Sequence, residues 1–509
     1  MVVTAPQVRV EQGAVRGAWE SHTSAYGRVN SFAVFRGVPF AAPPVRALRF
    51  AAPQPPASWA GVRDATRYGP TPQRISPYNP PRVPEPSIPG EDTLTVNVTT
   101  PYPREGANLP VLVWIHGGGF IGGSPASPWY AGGAFARDGV VVVTPSYRLG
   151  FEGFGWLADA GTGGVVNNRG VLDWLAGLEW VRRNIAAFGG DPSRVTIAGQ
   201  SAGGAAVMRL LTMPAAQHLF NRVLAVSPAD ASSTVASTAE ATRRIAAAVG
   251  IEPTAAAASG VDENVLFAAR DAAQAPVDDA EHARIFGKGP LELAPAVDGE
   301  WCAQTVDDAL AAGVGADKLL FIGATAHEFN EALRDLAPSL EGADPVEALR
   351  SAGASAKLAA AMVDQMAADG DLERGPAWVL GQALSTVIFR QPVAHWARTR
   401  DNAAGSTWAY DFRWESRSPL VMGAAHCVDL PFGFDILGEE GTADAVGDGP
   451  QELADAVHQD WLTFIRDGEV KAPQHRHDRA TVVYRDQPLR AIERRYDVEA
   501  LAWEEANLA

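Results

Sequence analysis

The sequence predicts an α/β protein with a central, twisted, mostly parallel sheet flanked by helices. Short, continuous apolar runs recur at 109–115, 140–144, 194–198, 222–226, 319–323 and 408–412. Strands that are apolar without alternation are buried on both faces, the condition of a parallel sheet covered by helices. Helical spacing lies between them, as in 169–187, where Val171, Leu172, Leu175, Leu178, Val181 and Ile185 recur near a 3.6-residue period.

The remaining segments fit that frame. Val8, Val10, Val15, Phe32, Val34 and Phe35 mark short strands broken by turns. Residues 69–90 carry eight prolines, which leave few backbone donors for regular structure, so an ordered surface loop near a site is expected. Asp191-Pro192-Ser193 is expected to break the chain before the strand 194–198. Ala-rich stretches near 231–285 and 340–400 read as helical cap or insertion segments, and 1–509 as one domain carrying them.

The net charge of −17 argues against nucleic acid and anionic lipid as partners, since both need basic patches. The N-terminus lacks a basic and then apolar secretory pattern, and no apolar run reaches 18 residues. A cytoplasmic protein, monomeric or a small homo-oligomer, is the expectation. Two cysteines, Cys302 and Cys427, make no disulfide framework, and whether they pair is open at this stage.

Gly199-Gln200-Ser201-Ala202-Gly203 matches G-x-S-x-G. A chain with 50 glycines would supply roughly 0.3 such matches by chance, so context must carry it. The motif follows the strand 194–198 and precedes the helical 205–211, and its small residues suit a sharp strand-to-helix elbow that exposes the Ser201 hydroxyl. His116-Gly117-Gly118-Gly119-Phe120 follows another strand, and consecutive glycines let backbone N–H groups converge on an oxyanion. A phosphate cradle is the rival reading, but the Lys-Ser/Thr ending of a P-loop is missing. A serine nucleophile needs a base and an orienting acid, in chain order serine, acid, histidine for this fold type. His426 and Glu328 satisfy that order, while His327, Asp298 and Asp429 remain rivals on order alone.

With these residues assembled, the chain resembles the type-B carboxylesterase family, which includes cholinesterases and bacterial p-nitrobenzyl esterases. The resemblance runs nearly end to end, through 35–41, Pro43-Pro44, 48–50, Trp59, 91–94, 116–120 and 147–150, and most specifically through 184–192 into Ser201-Ala202-Gly203. It implies the α/β-hydrolase fold, a Ser201–Glu328–His426 triad, an oxyanion hole from Gly118, Gly119 and Ala202, and Ser227 as a supporting hydroxyl. It also implies an acyl-enzyme mechanism on small to medium, apolar or aryl carboxylic esters, with carbamates or aryl amides as the alternative substrates. A catalytically dead adhesion module of the same fold is disfavoured by the intact Ser201 and His426. No metal or organic cofactor is expected. Phe120, Phe329 and Phe432 are expected pocket walls. The chain departs from the family at Thr93, often a cysteine paired to the preceding loop, at Trp174, at Pro228, and at His327 and Phe329 flanking the acid. The missing disulfide leaves the 69–90 loop free of that tie, and the absence of a tryptophan there disfavours choline esters.

Overall fold

The structure, a computed structural model, describes residues 4–27, 29–72, 83–272, 285, 291–439 and 441–506. Among them an eleven-stranded sheet organises the chain. Its strands in chain order are β1 (Ala18–Thr23), β2 (Val29–Pro39), β3 (Thr95–Thr100), β4 (Leu109–Ile115), β5 (Val141–Pro145), β6 (Gly190–Gln200), β7 (Arg222–Val226), β8 (Leu319–Thr325), β9 (Thr407–Phe412), β10 (Ala480–Tyr484) and β11 (Arg490–Arg494). The spatial order is β11-β10-β9-β8-β7-β6-β4-β5-β3-β2-β1. Strands β4 to β10 run parallel, and antiparallel strands close both edges. Each apolar run of the sequence is one of the parallel strands.

Burial on both faces explains the lack of alternation. In β4, Val111, Val113 and Ile115 enter one core while Leu112 and Trp114 enter the other. Helix α1 (Arg169–Asn184) lies with the first core through Val171, Trp174, Leu178 and Val181. Helix α4 (Gln451–Asp467) lies with the second through Leu453, Val457, Trp461 and Phe464. A third apolar cluster joins α3 (Pro376–Ser385) to the helices Pro345–Ser351 and Ala356–Asp369.

One expectation is corrected. Asp191-Pro192-Ser193 does not end the preceding element before a new strand. It is an irregularity inside β6, where pairing with β4 jumps from Leu109↔Gly190 to Val111↔Val195. Asp191 Oδ1 accepts from the Ser193 N–H at 2.8 Å and hydroxyl at 2.6 Å, so a side chain replaces the lost ladder bonds. In the proline-rich loop, residues 73–82 lie outside the described residues. Its neck is tied without a disulfide: Thr71 N–H donates to Ile88 O at 2.9 Å, and Thr71 Oγ1 accepts from Ile88 N–H at 3.0 Å.

No helix among the described residues is long and apolar enough to cross a membrane. Trp461 has no exposed surface and packs on Trp114 (6.2 Å between rings) and Phe434 (6.2 Å). Trp461→Ala should therefore lower the unfolding free energy by about 3–5 kcal/mol in a urea titration.

Candidate active site

Loops at the carboxyl ends of β4, β6, β7 and β8 meet at one place, the position where open α/β sheets bind ligands. Ser201 closes β6 and stands as N-cap of α2 (Ala202–Leu211) with φ 61° and ψ −124°. A positive-φ conformation in a non-glycine residue costs about 1–3 kcal/mol, and the surroundings must hold it. They do so through Ser201 N–H donating to Val226 O at 3.0 Å and Ser201 O accepting from Ala205 N–H at 2.8 Å. Close packing of the elbow requires Gly203, where a Cβ would fall on the carbonyl oxygen of Ile115. Ser201 is half-buried, so its side chain is reachable.

The glycine loop lies against this elbow. A Cβ on Gly117 would stand 3.1 Å from Ser201 Cβ. Gly118 and Gly119 take φ values of 111° and 62°, and Gly118 O accepts from Ile121 N–H (3.1 Å) and Gly122 N–H (2.7 Å). Among the described residues neither Gly118 N–H nor Gly119 N–H donates to a backbone carbonyl. Ala202 N–H is a first-turn helix donor without an intrahelical acceptor. These three groups are therefore available to a developing anion. Tyr147 anchors the loop from behind, donating to His116 O at 2.9 Å and stacking on the His116 ring at 4.5 Å.

Glu328 and His426 come together across 98 residues. Glu328 is wholly buried after β8, with Oε1 accepting from Thr325 N–H at 2.8 Å and Oε2 bonded to His426 Nδ1. His426 N–H donates to Glu328 O at 3.0 Å, which fixes the two turns to each other. A proton on Nδ1 leaves Nε2 as the lone-pair nitrogen, the arrangement a general base needs. Burial opposes the imidazolium of His426, but Cys427 and Glu328 beside it outweigh burial and raise its proton affinity above the ordinary histidine value.

The rival acids stand elsewhere or titrate differently. Asp298 is spent on a turn, bonding Glu300 N–H and Cys302 N–H (2.9 Å each) and Asn168 (2.8 Å). Asp429 accepts from Tyr410 OH at 3.1 Å, and burial together with the Glu328 charge pushes it up to about 7. His327 donates to Asp371 at 3.0 Å. Ser227 is buried behind the elbow with φ 44°, its N–H on Gly323 O at 2.7 Å. Of the three phenylalanines, Phe329 stands edge-on to His426 at 5.1 Å. Phe120 packs inward on Phe154 and Trp174, and Phe432 on Phe412 and Trp414, both wholly buried. Cys302 and Cys427 are both free and buried.

Two neighbours of His426 escaped the reading of the sequence. Gln200 is buried, and its Nε2 lies 3.0 Å from His426 Nε2. It holds a motif position that G-x-S-x-G leaves free, so only the elbow geometry reveals it. Phe389 lies 4.5 Å from the His426 ring, carried on a π-helical turn, Thr386–Arg390, that follows α3. Such turns interrupt helices at functional sites, but no residue type signals them in sequence.

His327, Asp371 and Glu415 bring one potential metal-ligating atom each within 4.8 Å of the others. They do not suit a cation. Arg374 already pairs with Glu415 at 2.6 Å and with Asp371 at 3.3 Å. His327 Nδ1 accepts from Ala424 N–H at 3.1 Å, so its other nitrogen carries the proton.

Known proteins resemble this chain over nearly its whole length. The carboxylesterase family model matches residues 4–496. Para-nitrobenzyl esterase of Bacillus subtilis (strain 168) is 34% identical over 461 residues, 88% of this chain and 89% of that protein. Phenmedipham hydrolase of Pseudarthrobacter oxydans is 34% identical over 452 residues, 86% of each chain. The solved structure of Geobacillus stearothermophilus carboxylesterase EST55 at pH 6.2 superposes with a TM-score of 0.79 at 30% identity, covering 98% of this chain and 99% of that one.

The neutral base accumulates as pH rises, so kcat/KM should climb along a limb lying above pH 6.5. Gln200→Glu would set a carboxylate against His426 Nε2, which favours the imidazolium. That limb should then move up by about one pH unit, as read from kcat/KM across pH 5–10.5.

Proposed function

Since the chain belongs to the carboxylesterase family, and is a hydrolase of carboxylic esters, we propose that it works through a Ser201–Glu328–His426 triad. The buried Glu328–His426 bond beside the strained Ser201 elbow carries this reading. His426 Nε2 takes the Ser201 proton as Oγ attacks the ester carbonyl. The N–H groups of Gly118, Gly119 and Ala202 receive the oxyanion, a contribution of about 10²–10³ in rate for each donor. The tetrahedral intermediate collapses, His426 passes its proton to the leaving alkoxide, and the acyl group stays on Ser201. Water then enters and repeats the sequence, releasing the acid and restoring Ser201. Glu328 holds the imidazole tautomer and stabilises the imidazolium. Ser227 supports the elbow from behind.

Substrates are small to medium esters with an apolar or aryl part, a reading supported by Phe329 and Phe389 against His426. One relative is named for phenmedipham, which supports a second reading in which the same triad hydrolyses carbamates or aryl amides. Residues 1–509 act as a single α/β-hydrolase domain carrying its helical insertions. Two buried, unpaired cysteines fit a reducing compartment, in keeping with a cytoplasmic enzyme.

Ser201→Ala should abolish turnover of p-nitrophenyl esters, lowering kcat by about 10⁴-fold or more. A fluorophosphonate should add one phosphonyl group to the native chain and none to the variant, by intact mass. Full turnover by Ser201→Ala would overturn the assignment. Parallel rates on p-nitrophenyl esters, phenmedipham and an anilide decide between the two substrate readings.

A further inference from the structure

Next to the Glu328–His426 pair lies a second buried carboxylate–imidazole pair, Asp371–His327, to which the proposed mechanism gives no role. The two are interleaved. His327 precedes Glu328 on the turn after β8, and its N–H donates to Ala424 O at 3.0 Å. Ala424 N–H returns to His327 Nδ1 at 3.1 Å, and two residues later His426 N–H donates to Glu328 O at 3.0 Å. His327 thus meets Ala424 through both its backbone and its ring. Its Nε2–H donates to Asp371 at 3.0 Å, and its ring stands against Trp378 at 5.2 Å. Asp371 is itself held by Arg374 at 3.3 Å and Arg413 at 4.0 Å. Gly423 permits this approach: it has φ 72°, and a Cβ there would stand 2.7 Å from His327 Nδ1 and 3.1 Å from Trp378.

We propose that His327, oriented by Asp371, is a positioning residue that keeps the Glu328 turn and the His426 turn in register and so sets the approach of the acid to the base. The inference rests on the triad reading above. His327 touches neither reacting atom. It acts through Ala424, two residues before His426, and through its own peptide link to Glu328. The acid and the base share no strand, and the β8–β9 ladder, which pairs Thr325 with Phe412, ends before both turns, so beyond it the His327–Ala424 contacts join the His426 N–H···O bond and the Glu328–His426 bond in fixing their separation. A misplacement of about 1 Å at such a pair costs on the order of 100-fold in rate.

The test compares three variants on p-nitrophenyl butyrate, with active sites counted by fluorophosphonate titration. His327→Leu removes both ring bonds. His327→Asn keeps an acceptor where Nδ1 stood, and His327→Gln keeps a donor that reaches Asp371 but loses the acceptor. Expected for His327→Leu is a kcat per titrated site lower by about tenfold or more, with KM within about twofold. Its kcat/KM limb should move down toward pH 6.5, because a loosened Glu328 stabilises the imidazolium less. His327→Asn should recover most of kcat and of the limb, and His327→Gln less. Wild-type kcat and limb in His327→Leu would overturn the proposal, as would a loss confined to the number of titratable sites. Should His327→Leu not fold, the order of the other two decides, and His327→Gln equal to or better than His327→Asn overturns it. Ser201→Ala assayed in parallel keeps the two readings apart, since turnover there would remove the triad itself.

Discussion

Glu328 is a carboxylate with no exposed surface, and the arrangement of the site follows from what it takes to keep an ionised group there. A buried charge costs several kcal/mol unless its lone pairs are met by well-placed donors. Glu328 draws one donor from its own turn, Thr325 N–H, and the other from a turn almost a hundred residues further on, His426. Satisfying that carboxylate therefore requires the ends of β8 and β9 to stay level. The parallel ladder supplies this, pairing Thr325 with Phe412 and Gly323 with both Val226 and Tyr410.

The same ladder supports the strained residues. Phe120, Ser201, Ser227 and Cys427 all take positive φ beyond the carboxyl ends of the parallel strands. Each conformation is unfavourable for a residue with a side chain, and each persists because strands packed on both faces leave the chain no room to relax. Trp174 shows how tightly this region is filled. It packs on the rings of Phe120, Tyr147 and Phe154, so the glycine loop that ends at Phe120 rests on a filled aromatic cluster.

What could be read beforehand divides along physical lines. The parallel strands were legible because burial on both faces writes an uninterrupted apolar run. Ser201 and the glycine loop were legible because a tight elbow and a nest of N–H groups admit few residue types. Glu328 and His426 could be ordered but not singled out from the residues themselves, since Asp298, Asp429 and His327 sit equally well in chain order. Only distance separates them, and the family resemblance stood in for distance. Gln200 and Phe389 were not legible, because a contact across the sheet ends imposes no local pattern. Phe432 was expected at the pocket and stands in a core aromatic cluster; nearness in sequence to His426 says nothing about which way a ring points.

The surroundings of His426 also constrain how the base works. Glu328 is the carboxylate bonded to its ring, while Asp429, raised to about 7, is substantially protonated near neutrality and contributes less charge. On the other side of the ring the neighbours are neutral: the Gln200 amide at Nε2, the edge of Phe329 and the tilted ring of Phe389. In so apolar a setting one carboxylate exerts a stronger pull than it would in water. The cost is a base that releases its proton reluctantly, which the leaving alkoxide, far more basic than imidazole, overcomes. The neutral Gln200 keeps that balance workable. A second anion at Nε2 would hold the imidazolium from both ends and slow the proton's return to the leaving group.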